Sequence, residues 1–432
     1  MQGKDGRQHR SRGWCIRVSY GPANCDPFMN PSVESKGLRA ALYSTVIWRE
    51  HGAWCVKAVI VDWMRSPFHR AHKGALKDVR PDEMAGQVAR SLLERTGISG
   101  DEIDDLLLGC AYPEGEQGFN VGRLVSFLAG LPDTVPGATF NRLCGSSMQA
   151  VHVAAANIQA GWGDCFLVGG MESMSRVKRG GFNWSPHPGL EESYPAAYIN
   201  MGMTAENVAE KYGISRLRQE EFALASHEKS VAAQQAGHFD SELCEIVHGG
   251  DSIVEDGCIR ASTNLESMAG LRPVFKEDGS VTAATSSPLT DGVVFSVICS
   301  EEFALSHGLQ PIATIVSAAV TGCPPDYMGL GPIASTRLCL DRAGWSIEEI
   351  DVFELNEAFS SQGLACIDEL GIDASKVNFD GGAISIGHPL GASGARITCK
   401  AASLLQRVGG QKAVATMCIG GGMGIATALE RY

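Results

Sequence analysis

Apolar residues along this chain follow two periods, one of strands and one of helices, and the two alternate. The stretch Val56-Lys57-Ala58-Val59-Ile60-Val61-Asp62 has the β-branched apolar content of a buried strand. A helical pattern follows from about Asp82 to Arg95, then a strand near 105–108, a helix near 122–129, an alanine-rich helical stretch ending near Gly161, and a strand near 165–168. Strands alternating with helices predict a largely parallel α/β layer structure. A similar unit returns near the C-terminus, where a small-residue helix after Gly391 leads to a strand near 413–417 and a glycine turn. That return suggests an internal duplication. Between the two units, residues 175–287 read differently: Gly, Ser, His and Pro are dense early on, and a helical pattern runs from about Thr204 to Gln235.

The first 55 residues show no sustained period. They carry eight Lys/Arg against four acids, so their net charge is +4 in a chain whose total is −13. They are read as a disordered or artefactual extension ahead of the first strand. The alternative of an organelle transit peptide is weakened by Pro22, Pro27, Pro31 and the acids. The whole chain has 432 residues, 44% of them hydrophobic, enough for two or three domains with large cores. Its acidity argues against nucleic acid as a general partner, although a phosphorylated ligand still needs a local basic patch. Fourteen cysteines are scattered without a C-x-x-C pair or a signal-peptide pattern, which suits a reducing cytoplasm. No apolar run approaches the roughly 18 residues of a membrane span.

Composition leaves the chemistry open; three short segments do not. In Asn141-Arg142-Leu143-Cys144-Gly145-Ser146-Ser147-Met148 a cysteine leads into a helix, whose positive N-terminal end is expected to favour the thiolate. Gly387-His388-Pro389 lies in a glycine-dense loop before another helix, and Cys418 opens onto Gly420-Gly421-Gly422. An isolated cysteine is more often a small buried hydrophobe. Two cysteines and a histidine, each beside flexible backbone, point instead to covalent acyl transfer, with no metal required.

With Asn356-Glu357-Ala358-Phe359 these segments stand in the order of the thiolase family, which the chain resembles from about Val56 to Tyr432. Glu116-Gln117-Gly118-Phe119-Asn120 and Thr282-Ala283-Ala284-Thr285-Ser286-Ser287 look most like the thiolase subunit of bacterial fatty-acid β-oxidation complexes. The resemblance implies an α/β, thiolase-like five-layer fold of two duplicated halves with an inserted loop domain. The halves would be residues 56–174, completed by 288–310, and residues 311–432; residues 175–287 would cover coenzyme A.

The resemblance also implies roles. Cys144 becomes the acyl-enzyme, His388 takes its proton, and Cys418 protonates the departing enolate and later deprotonates the CoA thiol. A thiol of ordinary acidity is expected to serve Cys418 in both directions. Asn356, through a water, and His388 would hold the enolate oxygen; the backbone N–H groups of Cys144 and Gly420 would hold the tetrahedral oxygen. Arg260, Ser267 and Ser287 match CoA-contact positions, while Arg176, Lys178 and Arg179 read as a solvated charge run. His187 and Met328 are candidates for the acyl channel, and His152 for a packed or surface histidine.

Coenzyme A is implied as co-substrate with no permanently bound cofactor. A homodimer or tetramer is implied, and a hydratase/dehydrogenase subunit is a candidate partner. One departure from the family pattern is Val293-Val294-Phe295, where smaller residues are usual; it demands compensating space nearby or alters the acyl pocket. The competing readings are a biosynthetic acetoacetyl-CoA thiolase, a ketoacyl synthase, disfavoured by Cys418 and Asn356-Glu357, and a non-catalytic acyl-CoA-binding subunit.

Overall fold

Strand residues of this protein alternate between two cores, and that alternation explains the architecture. The computed structural model describes residues 56–432; the proposed N-terminal extension, residues 1–55, lies outside the described residues. In β1 (Ala58–Arg65), Ala58 and Ile60 face one cluster of buried side chains while Val59 and Val61 face another. The same two-residue period recurs in β3 (Asp105–Cys110), where Leu107 opposes Leu106 and Leu108, after the short β2 (His69–Arg70). A strand buried on both faces needs a layer of helices on each side.

Helices supply those layers. Helix α1 (Pro81–Thr96) and α2 (Val121–Leu128) cover one face of the first half, whose remaining strands are β4 (Gly137–Phe140), β5 (Cys165–Ser173) and β8 (Thr290–Ser300). Helix α3 (Ser146–Ala160) covers the other face. The intervening chain, residues 174–289, contains α4 (Met201–Tyr212), α5 (Arg216–Gln235) and a small hairpin, β6 (Ile246–His248) and β7 (Asp251–Ile253). In the second half, β9 (Ala313–Gly322) leads through α6 (Gly331–Ala343) to β10 (Val352–Leu355), and α7 (Ser360–Leu370) and α8 (Leu390–Val408) precede β11 (Lys412–Ile419) and β12 (Met423–Arg431).

The duplication is visible in pairing. In the first half β3 and β5 are parallel, followed across the sheet by antiparallel β8 and β1; in the second, β10 and β11 are parallel, followed by antiparallel β12 and β9. Among the described residues, the two half-sheets pair edge to edge at Val59↔Thr314 and Ile60↔Ala313. Helices α3 and α8 pack together and touch strands of both halves, so the layers run helix, sheet, helix, sheet, helix. One difference between the halves bears on the site. The crossing from β11 to β12 is the turn Gly420–Gly422, whereas the equivalent crossing from β5 to β8 is the whole excursion 174–289.

The helical pattern expected without a break from Thr204 to Gln235 is two helices. Gly213 adopts a left-handed conformation with φ 61°, and the Ser215 side chain caps α5 by accepting from the Arg218 N–H. The bulky Val293-Val294-Phe295 has its compensating space directly opposite. Val294 and Phe295 pair with Gly170 and Gly169 of β5, and a Cβ on Gly169 would lie 2.5 Å from Phe295 Cδ1. All three side chains are buried in the central or outer core and none belongs to the cluster around Cys418.

Candidate active site

Cys144 sits on a tight turn just ahead of α3. Leu143 holds φ 45°, a left-handed conformation uncommon for leucine, while the Leu143 N–H is anchored by Asn141 Oδ1 at 2.9 Å and the Gly145 N–H by the Arg142 carbonyl at 3.0 Å. The residue keeps partial solvent contact. Its thiol is pushed up to about 11 by burial, partly offset by the Gly420 backbone N–H directed at the sulfur. The thiolate expected from the helix terminus is therefore not the resting state. Helix α3 begins at Ser146 with Gly145 as its cap, so Cys144 precedes the first turn, and loss of solvation outweighs the dipole.

Glu172, at the end of β5, is fully buried and is pushed up to about 7 by burial. It accepts hydrogen bonds from the backbone N–H groups of Ala111 at 2.9 Å, Tyr112 at 3.3 Å and Gly391 at 3.0 Å, and from Gln117 Nε2 at 2.6 Å. One carboxylate thereby ties the first half to the segment that carries His388. No sequence signal singled it out.

His388 is held from three sides. Its backbone N–H donates to Thr290 Oγ1 at 3.0 Å, Nδ1 lies 2.6 Å from Ser393 Oγ, and Nε2 lies 3.4 Å from Asn356 Nδ2. Ser393 Oγ donates its one hydrogen to the Pro389 carbonyl at 2.9 Å, so toward His388 it accepts. The proton is therefore on Nδ1, and Nε2 offers its lone pair to the site. Burial, followed by the charge of Arg396, lowers the imidazole to about 3, so the resting ring is neutral. The imidazole is bonded to Ser393 and Asn356 rather than to Cys144.

Asn356 follows β10, anchored by its N–H to the Thr416 carbonyl at 3.0 Å, and its buried Oδ1 has no partner among the described residues. That orphan oxygen fits a position that receives a water or ligand. Glu357, next in the chain, accepts from Ser226 Oγ at 2.6 Å, Asn378 Nδ2 at 2.8 Å and the Ile384 N–H at 3.2 Å, and so braces the glycine-rich loop before His388.

Cys418, at the end of β11, is buried among Met328, Ala358, Phe359, Ala205 and Val281, with Met201 and Phe275 packed alongside. Burial, and then the neighbouring Cys144, hold its thiol well above the usual range, so the thiol of ordinary acidity expected from sequence is replaced by a firmly protonated one. Gly420 lies close to Leu143 and Met201. Met328, a candidate for the acyl channel, lies in this buried cluster with Cys418, as do Met201, Phe275 and Phe359, which were not foreseen there. His187 does not: it is exposed and caps the short helix Pro188–Ser193, accepting from the Leu190 N–H at 3.2 Å.

The remaining candidates divide. Ser287 is tied to the Asn356 loop, its N–H and hydroxyl both donating to the Ala358 carbonyl at 3.0 Å. Arg260 and Ser267 are exposed on the excursion and bond to none of the residues around Cys144. The Arg260 N–H donates to His227 Nδ1, and Ser267 completes a capping box with Asn264. Arg176 is not a free solvated charge but pairs with Glu116, which also holds Arg80 at 3.1 Å. His152 is packed, its Nε2 2.8 Å from Thr427 Oγ1.

Comparison with known proteins agrees with this geometry. Residues 58–302 match the family model described as thiolase, N-terminal domain, and residues 309–431 the one described as thiolase, C-terminal domain. The chain is 46% identical over 386 residues to a 3-ketoacyl-CoA thiolase of Erwinia tasmaniensis, covering 87% of this chain and 99% of that protein. It is likewise 46% identical over 384 residues to a 3-ketoacyl-CoA thiolase of Yersinia pestis, covering 86% and 99%. Among solved structures, the Bacillus anthracis acetyl-CoA acetyltransferase superposes with a TM-score of 0.80 at 38% identity, covering 88% of this chain and 99% of that one.

Proposed function

The chain belongs to the thiolase family, and on that footing we propose that it cleaves 3-ketoacyl-CoA with CoA to give acetyl-CoA and a shortened acyl-CoA. The observations that carry the proposal are the neighbouring thiols of Cys144, with the Gly420 N–H on its sulfur, and of protonated Cys418 among buried apolar side chains, together with neutral His388 whose Nε2 is turned to Asn356.

His388 Nε2 takes the Cys144 proton as the sulfur attacks the 3-keto carbon. The tetrahedral oxygen is held by the N–H groups of Cys144 and Gly420, each such donor worth about 3 to 4 kcal/mol in the transition state. The C2–C3 bond then breaks, its electron pair passing to the thioester oxygen of an enolate that faces His388 and Asn356. Cys418 gives its proton to C2, and acetyl-CoA departs. A thiol held well above its usual range is a reluctant acid but, once deprotonated, a strong base. The Cys418 thiolate accordingly takes the proton of the incoming CoA thiol, whose sulfur attacks the acyl-enzyme carbonyl and releases Cys144, which recovers its proton from His388.

Coenzyme A is bound as co-substrate, with Ser287, Ser267 and Arg260 the contacts proposed for pantetheine and nucleotide; a guanidinium suits the phosphate end. We place the enzyme in fatty-acid β-oxidation in the cytoplasm, as a homodimer or tetramer open to a hydratase/dehydrogenase subunit. The support is the name shared by the bacterial relatives at 46% identity. The likeness to an acetyl-CoA acetyltransferase favours a second reading, condensation of two acetyl-CoA. A thiolysis assay over ketoacyl chains of four to sixteen carbons separates the two. Highest kcat/KM on medium or long chains is expected; a maximum on acetoacetyl-CoA with steady decline would give the second reading.

A further inference from the structure

Asn356 and His388 stand just outside the ends of β10 and α8, and a second pair lies within those two elements. Val352 points from β10 into the central core, so Glu354 and Asn356, two and four residues on, face the same helix layer. On α8, Arg396 stands one turn beyond Ser393, the residue that holds His388 Nδ1. Glu354 Oε2 and Arg396 Nη1 lie 3.4 Å apart, with side chains 0% and 2% exposed.

The pairing is loose. Both carboxylate oxygens of Glu354, and Nε and Nη2 of Arg396, have no hydrogen-bond partner among the described residues. A buried ion pair with unsatisfied atoms contributes little to stability, and a well-packed apolar pair would serve packing better. The charges facing Glu354 are Arg396 and Lys400 from α8, Asp380 from the loop before it and Glu357 beyond β10. Lys400 is already taken by Glu242 at 2.8 Å and Asp380 at 2.6 Å. After burial, which lowers the His388 imidazole most, Arg396 is the cation that bears on it, from one turn beyond Ser393; the charged groups that bear on Cys144 are Arg179 and Glu172.

We propose that Arg396, restrained and partly neutralised by Glu354, is a positioning residue that adds to burial in disfavouring the imidazolium form of His388 and so shifts the pH at which Cys144 is activated. The inference rests on His388 being the base for Cys144. A cation near the ring disfavours imidazolium, and with it the thiolate–imidazolium pair. Glu354, raised to about 7 by burial, is itself ionised only from neutrality upward, so its restraint on Arg396 weakens in acid.

The test is the pH profile of Cys144 alkylation by iodoacetamide in the full-length enzyme, read by mass spectrometry between pH 5 and 10. Arg396→Met removes the cation, and the profile should move to lower pH, with about tenfold faster alkylation at pH 6 for each unit that the imidazole gains. Glu354→Gln exposes the cation and should move the profile to higher pH. Arg396→Lys should stay near the wild type. Shifts of the same sign, or an unmoved profile in either of the first two variants, overturn the proposal. If those variants do not fold, the uncharged double variant Glu354→Gln/Arg396→Gln serves: a profile displaced to lower pH supports the proposal and an unmoved one overturns it. His388→Gln in parallel separates the levels. If it leaves the alkylation profile unchanged, the assignment of His388 as base fails; if it changes the profile while the pair variants do not, only the present inference fails.

Discussion

Gly394 of α8 lies so close to Met148 of α3 that a Cβ on the glycine would come within 2.5 Å of the Met148 backbone nitrogen. The helices that follow His388 and Cys144 therefore meet backbone to backbone, and their spacing fixes the two ends of the site. Gly394→Ala should separate them. The expected cost is about 1 to 3 kcal/mol of stability, typical of overpacking, with a loss of kcat greater than any change in KM. Denaturant unfolding and steady-state thiolysis would check both; unchanged stability would show that the crossing yields.

Cys144→Ala should abolish acyl-enzyme formation and leave CoA binding largely intact, since on the proposed mechanism the thiol contributes chemistry and the proposed nucleotide contacts, Arg260 and Ser267, lie elsewhere. Mass spectrometry after mixing with acyl-CoA gives the answer. A stoichiometric adduct in the variant, or one on another cysteine in the wild type, would move the nucleophile.

Cys418→Ser should still acylate Cys144 but lose thiolysis by about 10² or more, the range for a positioned acid–base group. A serine hydroxyl is a far weaker acid than a thiol, so the loss should fall on kcat. Near wild-type turnover would remove Cys418 from the mechanism.

Ser393→Ala should reduce kcat by about an order of magnitude with little change in KM, because without the acceptor at Nδ1 the ring proton is free to sit on Nε2. Ser393→Thr, which keeps the hydroxyl, should recover part of the loss. Equal rates in wild type and alanine variant would show that the tautomer is fixed by something else.

Acid should destabilise the protein in a range set by buried histidines. His152 and His388 are each lowered to about 3 from an ordinary 6.5, in both cases mainly by burial. Above pH 6.5 both states carry neutral rings and the histidines contribute no pH dependence. Between 6.5 and about 3 the unfolded chain takes up protons that the native rings refuse, so the histidine contribution falls as pH falls. Glu172 and Glu354, raised to about 7 by burial, act in the opposite sense between about 4.5 and 7, where the native state holds protons that the unfolded chain releases; the net drop in thermal midpoint should therefore appear below about 4.5, and His152→Gln should flatten it, an unaltered slope counting against the burial of that ring.

The alternation of strand and helix was legible because the long strands of the main sheet are largely apolar on both faces and several helices end at glycine, as Gly97 and Gly161 end α1 and α3. The break at Gly213 was not, since one glycine inside a helical pattern does not announce its conformation. The three residues proposed to react could be read from motifs, but their acidity could not. Position relative to a helix end is written in sequence order, whereas the burial that outweighs it at Cys144 comes from chain hundreds of residues away. Glu172 and Ser393 escaped for the same reason: an acid in an apolar strand and a serine in a small-residue helix acquire meaning only through Gly391 and His388. The Glu354–Arg396 pair likewise joins positions whose spacing carries no signal.

On the proposed mechanism, the unequal crossings of the two halves separate reactivity from selectivity. Cys418 and Gly420 ride on a hairpin in unbroken register from Lys412↔Glu430 to Ile419↔Met423, so a one-residue insertion there would displace both at once. Met201 and Phe275, beside Cys418, belong to the excursion 174–289, as do the exposed Arg260 and Ser267. That excursion leaves and rejoins the sheet on adjacent strands, β5 and β8. Residues can be exchanged or inserted along it without altering the strand that presents the acid. If the proposed roles hold, a scaffold of this kind would let a new acyl group be admitted by remodelling one connection, while the bond-breaking apparatus on the other stays as it is.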